Sequence, residues 1–163
     1  MDSLWGAIIE FNDVRKPETI IEEQFEILSN KTDEAVIGRI EKFNKRFEEL
    51  SASPVETAVD RMKMITDPPA QELLGEPMFM DDLTFEVFLT AKSIPNYKYR
   101  FIFLQHGLAP YPCKLIIEDA IALEIKSEKS IIFCDSENKF IEILKKILSS
   151  NRVMTIVSGL ASY

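Results

Sequence analysis

TFEVFLTAKSIPNYKYRFIFLQ, residues 84–105, decides the fold class of this 163-residue chain. Thr84–Lys92 alternates, with Phe85, Val87, Leu89 and Ala91 on one face. Tyr97–Gln105 alternates again, with Tyr97, Tyr99, Phe101 and Phe103 on one face and Arg100, Ile102, Leu104 and His106 on the other. Period two is the mark of a half-buried strand. The link between the two runs, Ser93-Ile94-Pro95-Asn96, is of turn length. Further on, Cys113–Glu118, Ile121–Lys126 and Ile131–Cys134 read as short strands separated by equally short links. A parallel crossover needs about a dozen residues or more. The region therefore predicts an antiparallel meander of four to five strands over about 84–134.

Both flanks read as helix. Pro17 suits a first helical turn, Glu18, Glu22 and Glu23 load the positive end of the dipole, and Ile21, Phe25 and Leu28 share a stripe, so 17–29 is predicted helical. Across 35–50 the residues Val36, Ile37, Ile40, Phe43, Phe47 and Leu50 recur at three and four, which predicts a second helix. Gly38 and the β-branched cluster around it favour a strand over 35–43 instead. A short helix is expected from about Val55 to Ile65, with Ser53 as N-cap and Pro54 at N1. Pro68, Pro69, Gly75 and Pro77 make 66–82 an irregular excursion. After the meander, Asp135 or Ser136 caps a helix carrying Phe140, Ile141, Leu144, Ile147 and Leu148. A last helix places Val153, Ile156, Val157 and Leu160 on one face. Terminal helices around an antiparallel sheet give an α+β class, expected here as a single domain over 1–163 with one sheet face covered and the other partly wet.

Composition sets the outer limits. At 46% hydrophobic and 28% charged, with 11 Phe, the chain can build a core without metal or disulfide staples. Its first residues lack a basic region and its apolar run is soon interrupted by Glu10, which does not read as a secretory signal. No run approaches the ~18 apolar residues of a membrane span, so a cytoplasmic location and no membrane partner are expected. Cys113 and Cys134 are expected to be reduced, buried thiols.

Catalytic motifs are scarce. The single histidine, His106, ends a strand with no recognisable orienting group in the sequence around it. Cys113, seven residues on, leads into a strand, whereas a thiolate nucleophile needs an electropositive setting such as a helix N-terminus. Two Cys and one His are too few for a structural zinc site, Asp81-Asp82 lacks a calcium-loop spacing, and the five glycines are too scattered for a phosphate loop. Neither a metal nor another cofactor is expected. Tyr97-Lys98-Tyr99-Arg100-Phe101 alternates aromatics with cations, but on opposite faces of a strand, and the pI is near 4.8, so no nucleic-acid partner is expected.

Charge is the strongest remaining signal. Residues 1–82 carry 19 acidic against 9 basic side chains, and residues 83–163 carry 8 against 10. An acidic patch speeds encounter with basic proteins. Glu22, Glu23, Glu26, Glu48, Glu49, Asp81 and Asp82 are the candidate partner-binding residues, with Glu56 and Asp60 on the same acidic half. Met62, Met64, Met78, Met80 and Phe79 stand beside them as adaptable contact residues. The sequence thus predicts a non-enzymatic protein-binding module, of the kind that masks a basic partner as small acidic inhibitors and immunity-type proteins do. One alternative is a ligand-binding or enzymatic cleft lined by Arg100, His106, Tyr111 and Cys113. Another is a structural homo-oligomer subunit.

Overall fold

A computed structural model describes residues 14–43 and 83–163. The expected helix at 55–65, the excursion at 66–82, the four methionines, and Glu48, Glu49, Glu56, Asp60, Asp81 and Asp82 lie outside the described residues.

Pro17 opens helix α1 (Pro17–Lys31), which buries Ile20, Ile21 and Phe25 along one stripe. Thr32 ends it: its hydroxyl donates to the Leu28 carbonyl at 3.0 Å and accepts from the Val36 amide at 3.2 Å. Asp33 and Glu34 then take left-handed backbone angles (φ 51° and 65°), and this turn delivers the chain into β1 (Val36–Lys42). The helix expected over 35–50 is thus corrected to a strand over its first half, in line with the β-branched residues that favoured 35–43. The next described strands are β2 (Thr84–Ala91), β3 (Ile94–His106), β4 (Cys113–Ile117) and β5 (Ile131–Cys134). They pair antiparallel in the order β1-β2-β3-β4-β5, so the meander and the α+β class hold, with the fifth strand supplied from 36–42.

Two further expectations are corrected. The expected strand at 121–126 is helix α2 (Asp119–Glu124), with Leu123 81% exposed and Ile121 fully buried. Ala120, Ala122, Leu123 and Glu124 are strong helix formers, and Lys126 at φ 59° turns the chain out of the helix. The link at 93–96 is shorter than expected, because β3 already begins at Ile94.

A bulge in the β2–β3 pair decides which side chains reach the core. Val87 pairs with Ile102 and Phe88 with Arg100, which leaves Phe101 as the extra residue. The alternation therefore changes phase at Phe101. Tyr99 and Phe101 share the buried helix-side face with Ile102, Leu104 and His106, whereas Arg100 and Phe103 lie on the other face. The expected Tyr97/Tyr99/Phe101/Phe103 face is broken at this point.

Helices α3 (Glu137–Leu148) and α4 (Asn151–Ala161) close the helix side. Phe140, Leu144, Ile147, Val153 and Leu160 pack with Leu104, Leu115 and Ile121 into the core. Full burial of each such side chain is worth about 1.5–3 kcal/mol. Ser136 caps α3 through the Lys139 amide. Ser150, 2% exposed, does more: it accepts from the Val153 amide at 3.3 Å and donates to the Ile147 carbonyl at 2.7 Å, so one hydroxyl ends α3 and starts α4. Ser150→Ala is expected to cost about 1.5 kcal/mol, measurable as a lower urea midpoint with unchanged slope.

On the second face, Glu86 is 8% exposed and takes ion pairs from Lys98 and from Arg100, the latter at 3.1 Å. Burial opposes its charge, yet those two hydrogen bonds outweigh it and hold the carboxyl below its usual range. The cations also lie over rings, Lys98 over Phe88 and Arg100 over Phe103. Among the described residues no helix is long and apolar enough to cross a membrane.

Candidate functional site

Glu22 and Glu26 stand four residues apart on α1, hence on one face of it. The turn through Asp33 and Glu34 folds β1 back alongside that face. A groove of about 500 Å³ results, lined by Glu22, Glu26 and Asn30 from the helix, Glu34 from the turn, and Gly38, Arg39, Ile40 and Glu41 from the strand. Its floor is the ring of Phe25, which lies directly on Gly38. Four glutamates and one arginine thus line one groove, Glu22 and Glu26 from the helix side and Arg39 and Glu41 from the face of β1 that they share with Glu86. Glu34 has Lys92 at 3.7 Å, a pair so exposed at both ends that it holds little energy. Glu22, Glu26 and Glu41 form no ion pair among the described residues.

Glu23 lies elsewhere. Its carboxylate takes the Arg15 guanidinium at 2.9 Å, and Arg15 also reaches Glu137 at 3.1 Å, tying α1 to the start of α3. Of the candidate acidic residues, Glu22 and Glu26 therefore share the groove and Glu23 does not. Glu34, Arg39 and Glu41 were missed as site residues, because they line the groove only when 36–42 is a strand.

The residues of the alternative cleft do not converge as a set. His106, Tyr111 and Cys113 cluster at one end of the helix-side face, whereas Arg100 lies on the opposite face, held by Glu86. His106 is buried, with its side chain 4% exposed and its ring stacked on Phe85. Nε2–H donates to Glu18 at 2.9 Å and Nδ1–H to the Gly107 carbonyl at 2.6 Å. A carbonyl and an ionised carboxylate can only accept, so this pair of contacts is satisfied by the imidazolium form, with a proton on each ring nitrogen. Burial disfavours that charge, but the hydrogen bonds to Glu18 and Gly107 outweigh it and raise the His106 pKa. For Glu18, burial likewise opposes ionisation, and the His106 hydrogen bond wins and lowers its pKa. Glu18 also sits in the first turn of α1, where the dipole favours a negative charge.

Cys113 pairs with His106 across β3–β4 and with Cys134 across β4–β5, which makes a row of three side chains across the sheet. Both cysteines are fully buried free thiols. A hydrogen bond with Cys134, and then burial, push the Cys113 thiol up, so it stays protonated at neutral pH. Tyr111 donates its hydroxyl to the Arg15 carbonyl at 3.0 Å, and burial raises its pKa as well. This cluster holds a fixed ion pair and protonated donors, which is chemistry suited to locking α1 onto the sheet. Among the described residues no three His, Cys, Asp or Glu side chains converge as a metal site requires.

A second groove, of about 220 Å³, lies between α1 and α4 over Leu89 and Phe101, with Ile27 and Met154 at its rims. It is apolar, and Phe25 forms part of its wall as it does of the first groove's floor. Compared with protein-family models, with curated proteins and with solved structures, the chain finds no match in any of the three.

Proposed function

We propose that this chain is a non-enzymatic protein-binding module that masks a cationic surface of another protein, in the manner of a small acidic inhibitor or immunity-type protein. One observation carries the reading: Glu22, Glu26, Glu34 and Glu41 line a single open groove, and three of the four form no ion pair among the described residues. Carboxylates that form no ion pair set up a negative potential along the groove, and a lysine- or arginine-bearing partner complements it. Such attraction acts chiefly on the association rate and weakens as salt screens it.

The test is a binding panel of basic proteins at low and at high salt. Wild type is expected to retain at least one of them, with affinity falling as salt rises. Glu22→Lys/Glu26→Lys is expected to slow association about tenfold or more, as loss of an electrostatic docking surface does. Binding that ignores both salt and charge reversal would remove the basis of the proposal.

A further inference from the structure

An edge strand offers every second backbone N–H and C=O to whatever lies beyond it. For β1 the register fixes which residues those are. The Lys92 amide donates to the Ala35 carbonyl at 3.2 Å and the Phe43 amide to the Thr84 carbonyl at 2.8 Å, at the two ends of the β1–β2 ladder. Antiparallel bonds alternate, so Ile37, Arg39 and Glu41 turn their backbone groups to β2. Gly38, Ile40 and Lys42 turn theirs outward. Among the described residues no strand pairs with that outer side. The opposite edge, β5, spans only four residues, and a very short edge is one way of preventing strand pairing. β1 spans seven. Its outward side borders the acidic groove, because Gly38 and Ile40 line that groove.

We infer that β1 accepts an added strand: an extended segment of a partner protein, with lysine or arginine at alternate positions, pairs with Gly38, Ile40 and Lys42 while its cations meet Glu22 and Glu26. The inference rests on the acidic-groove reading above and adds to it the conformation of the bound segment. Spacing agrees with it. Side chains on one face of a strand repeat about every 6.8 Å, and Glu22 and Glu26 are about 6 Å apart along α1. Main-chain hydrogen bonds would supply affinity and the alternate cations selectivity, as in other cases of strand addition.

The experiment separates the two layers. The probe is a fluorescent ten-residue peptide of alternating lysine and threonine, followed by anisotropy at low salt. Ile40→Pro removes an outward-facing N–H and leaves the ladder to β2 intact, a placement proline tolerates on an edge. It is expected to weaken peptide binding about tenfold, the worth of one or two backbone hydrogen bonds. The same peptide N-methylated at alternate residues tests the loss on unaltered protein and is expected to bind about tenfold more weakly. Bound peptide is expected to slow amide exchange at Gly38, Ile40 and Lys42, and to leave Ile37, Arg39 and Glu41 unchanged. If Ile40→Pro and the N-methylated peptide bind like their parents while Glu22→Lys/Glu26→Lys does not, strand addition is wrong and the acidic groove stands. If charge reversal is also silent, or the peptide does not bind at all, both fall. A concentration-dependent dimer that Ile40→Pro abolishes would instead assign the edge to a second copy of the chain and overturn the inference.

Discussion

Glu18→Ala is expected to destabilise the protein by about 3 kcal/mol near pH 5.5, the lower part of the range for removing one partner of a buried ion pair. The lower part applies because the Glu18 side chain is 18% exposed, whereas His106 is 4% exposed. The variant leaves the buried imidazolium with the Gly107 carbonyl but no counter-charge, so His106 must either stay charged without its ionic partner or give up its proton. Replacing both members with apolar groups is a different change. Glu18→Leu/His106→Phe removes the charges together and stacks a second ring on Phe85, and it is expected to recover most of the loss. Urea denaturation of the single and double variants decides the matter, and a single variant within about 0.5 kcal/mol of wild type would mean the pair adds nothing.

The pH dependence has a sign that follows from the two shifts. His106 has its pKa raised on folding, so its contribution is complete below the unfolded imidazole value, about 6.5, and is lost as pH rises through the higher folded value. Glu18 has its pKa lowered, so its contribution is complete above the unfolded carboxyl value, about 4.3, and is lost as pH falls through the lower folded value. Stability from this pair is greatest between those unfolded values and declines on both sides. On the alkaline side the Nε2 lone pair comes to face the Glu18 carboxylate, and the hydrogen bond becomes a repulsion. Glu18→Leu/His106→Phe is expected to lack this bell-shaped component.

The parts of the fold that were legible in the sequence are those where one face of an element is simply buried. β4 shows it through alternation, and α1, α3 and α4 through a continuous apolar stripe. β2 was legible from its alternating Phe85, Val87, Leu89 and Ala91, although both of its faces are buried, and β5 from a short apolar run between turn residues. Each miss has a local cause. In β1, Val36, Gly38 and Ile40 share the helix-side face, and the side chain absent at Gly38 turns an alternation into the four-residue spacing of a helix. In β3 the bulge at Phe101 inserts one residue, which a strict period of two runs straight through. In α2, Ile121, Leu123 and Ile125 alternate by coincidence, and the exposed Leu123 shows that no sheet face lies beneath them. The site follows the same logic. Glu22 and Glu26 were legible because a helix fixes their relation, while Glu34 and Glu41 depended on the strand. The Glu18–His106 contact joins residues 88 apart in sequence and left no local pattern.

Gly38→Ala is the substitution in which fold and groove meet. A Cβ at residue 38 would lie 2.1 Å from Cγ of Phe25, with both Cδ atoms within 2.5 Å. Cγ is the root of a buried ring, so relief requires the whole side chain, and with it α1, to move off the strand. Alanine in a strand gains about 0.5–1 kcal/mol over glycine through chain entropy. Overpacking of a well-filled contact costs typically 1–3 kcal/mol and occasionally more, and an overlap this deep belongs at the upper end, so the clash wins. The expected net loss is about 2–3 kcal/mol, and a domain of this size shifts its Tm by about 2–4 °C per kcal/mol. Phe25→Leu makes room at residue 38 while removing ring contacts of its own. The double variant is therefore expected to be less destabilised than the sum of the single variants, with a coupling of at least about 1 kcal/mol. Strict additivity would mean that the ring does not rest on the glycine. The same displacement moves the floor between Glu26 and Glu41, so Gly38→Ala is also expected to weaken a partner docked in the acidic groove. Asn30→Ser, a surface change on the groove's rim that leaves Phe25 in place, is not expected to do so.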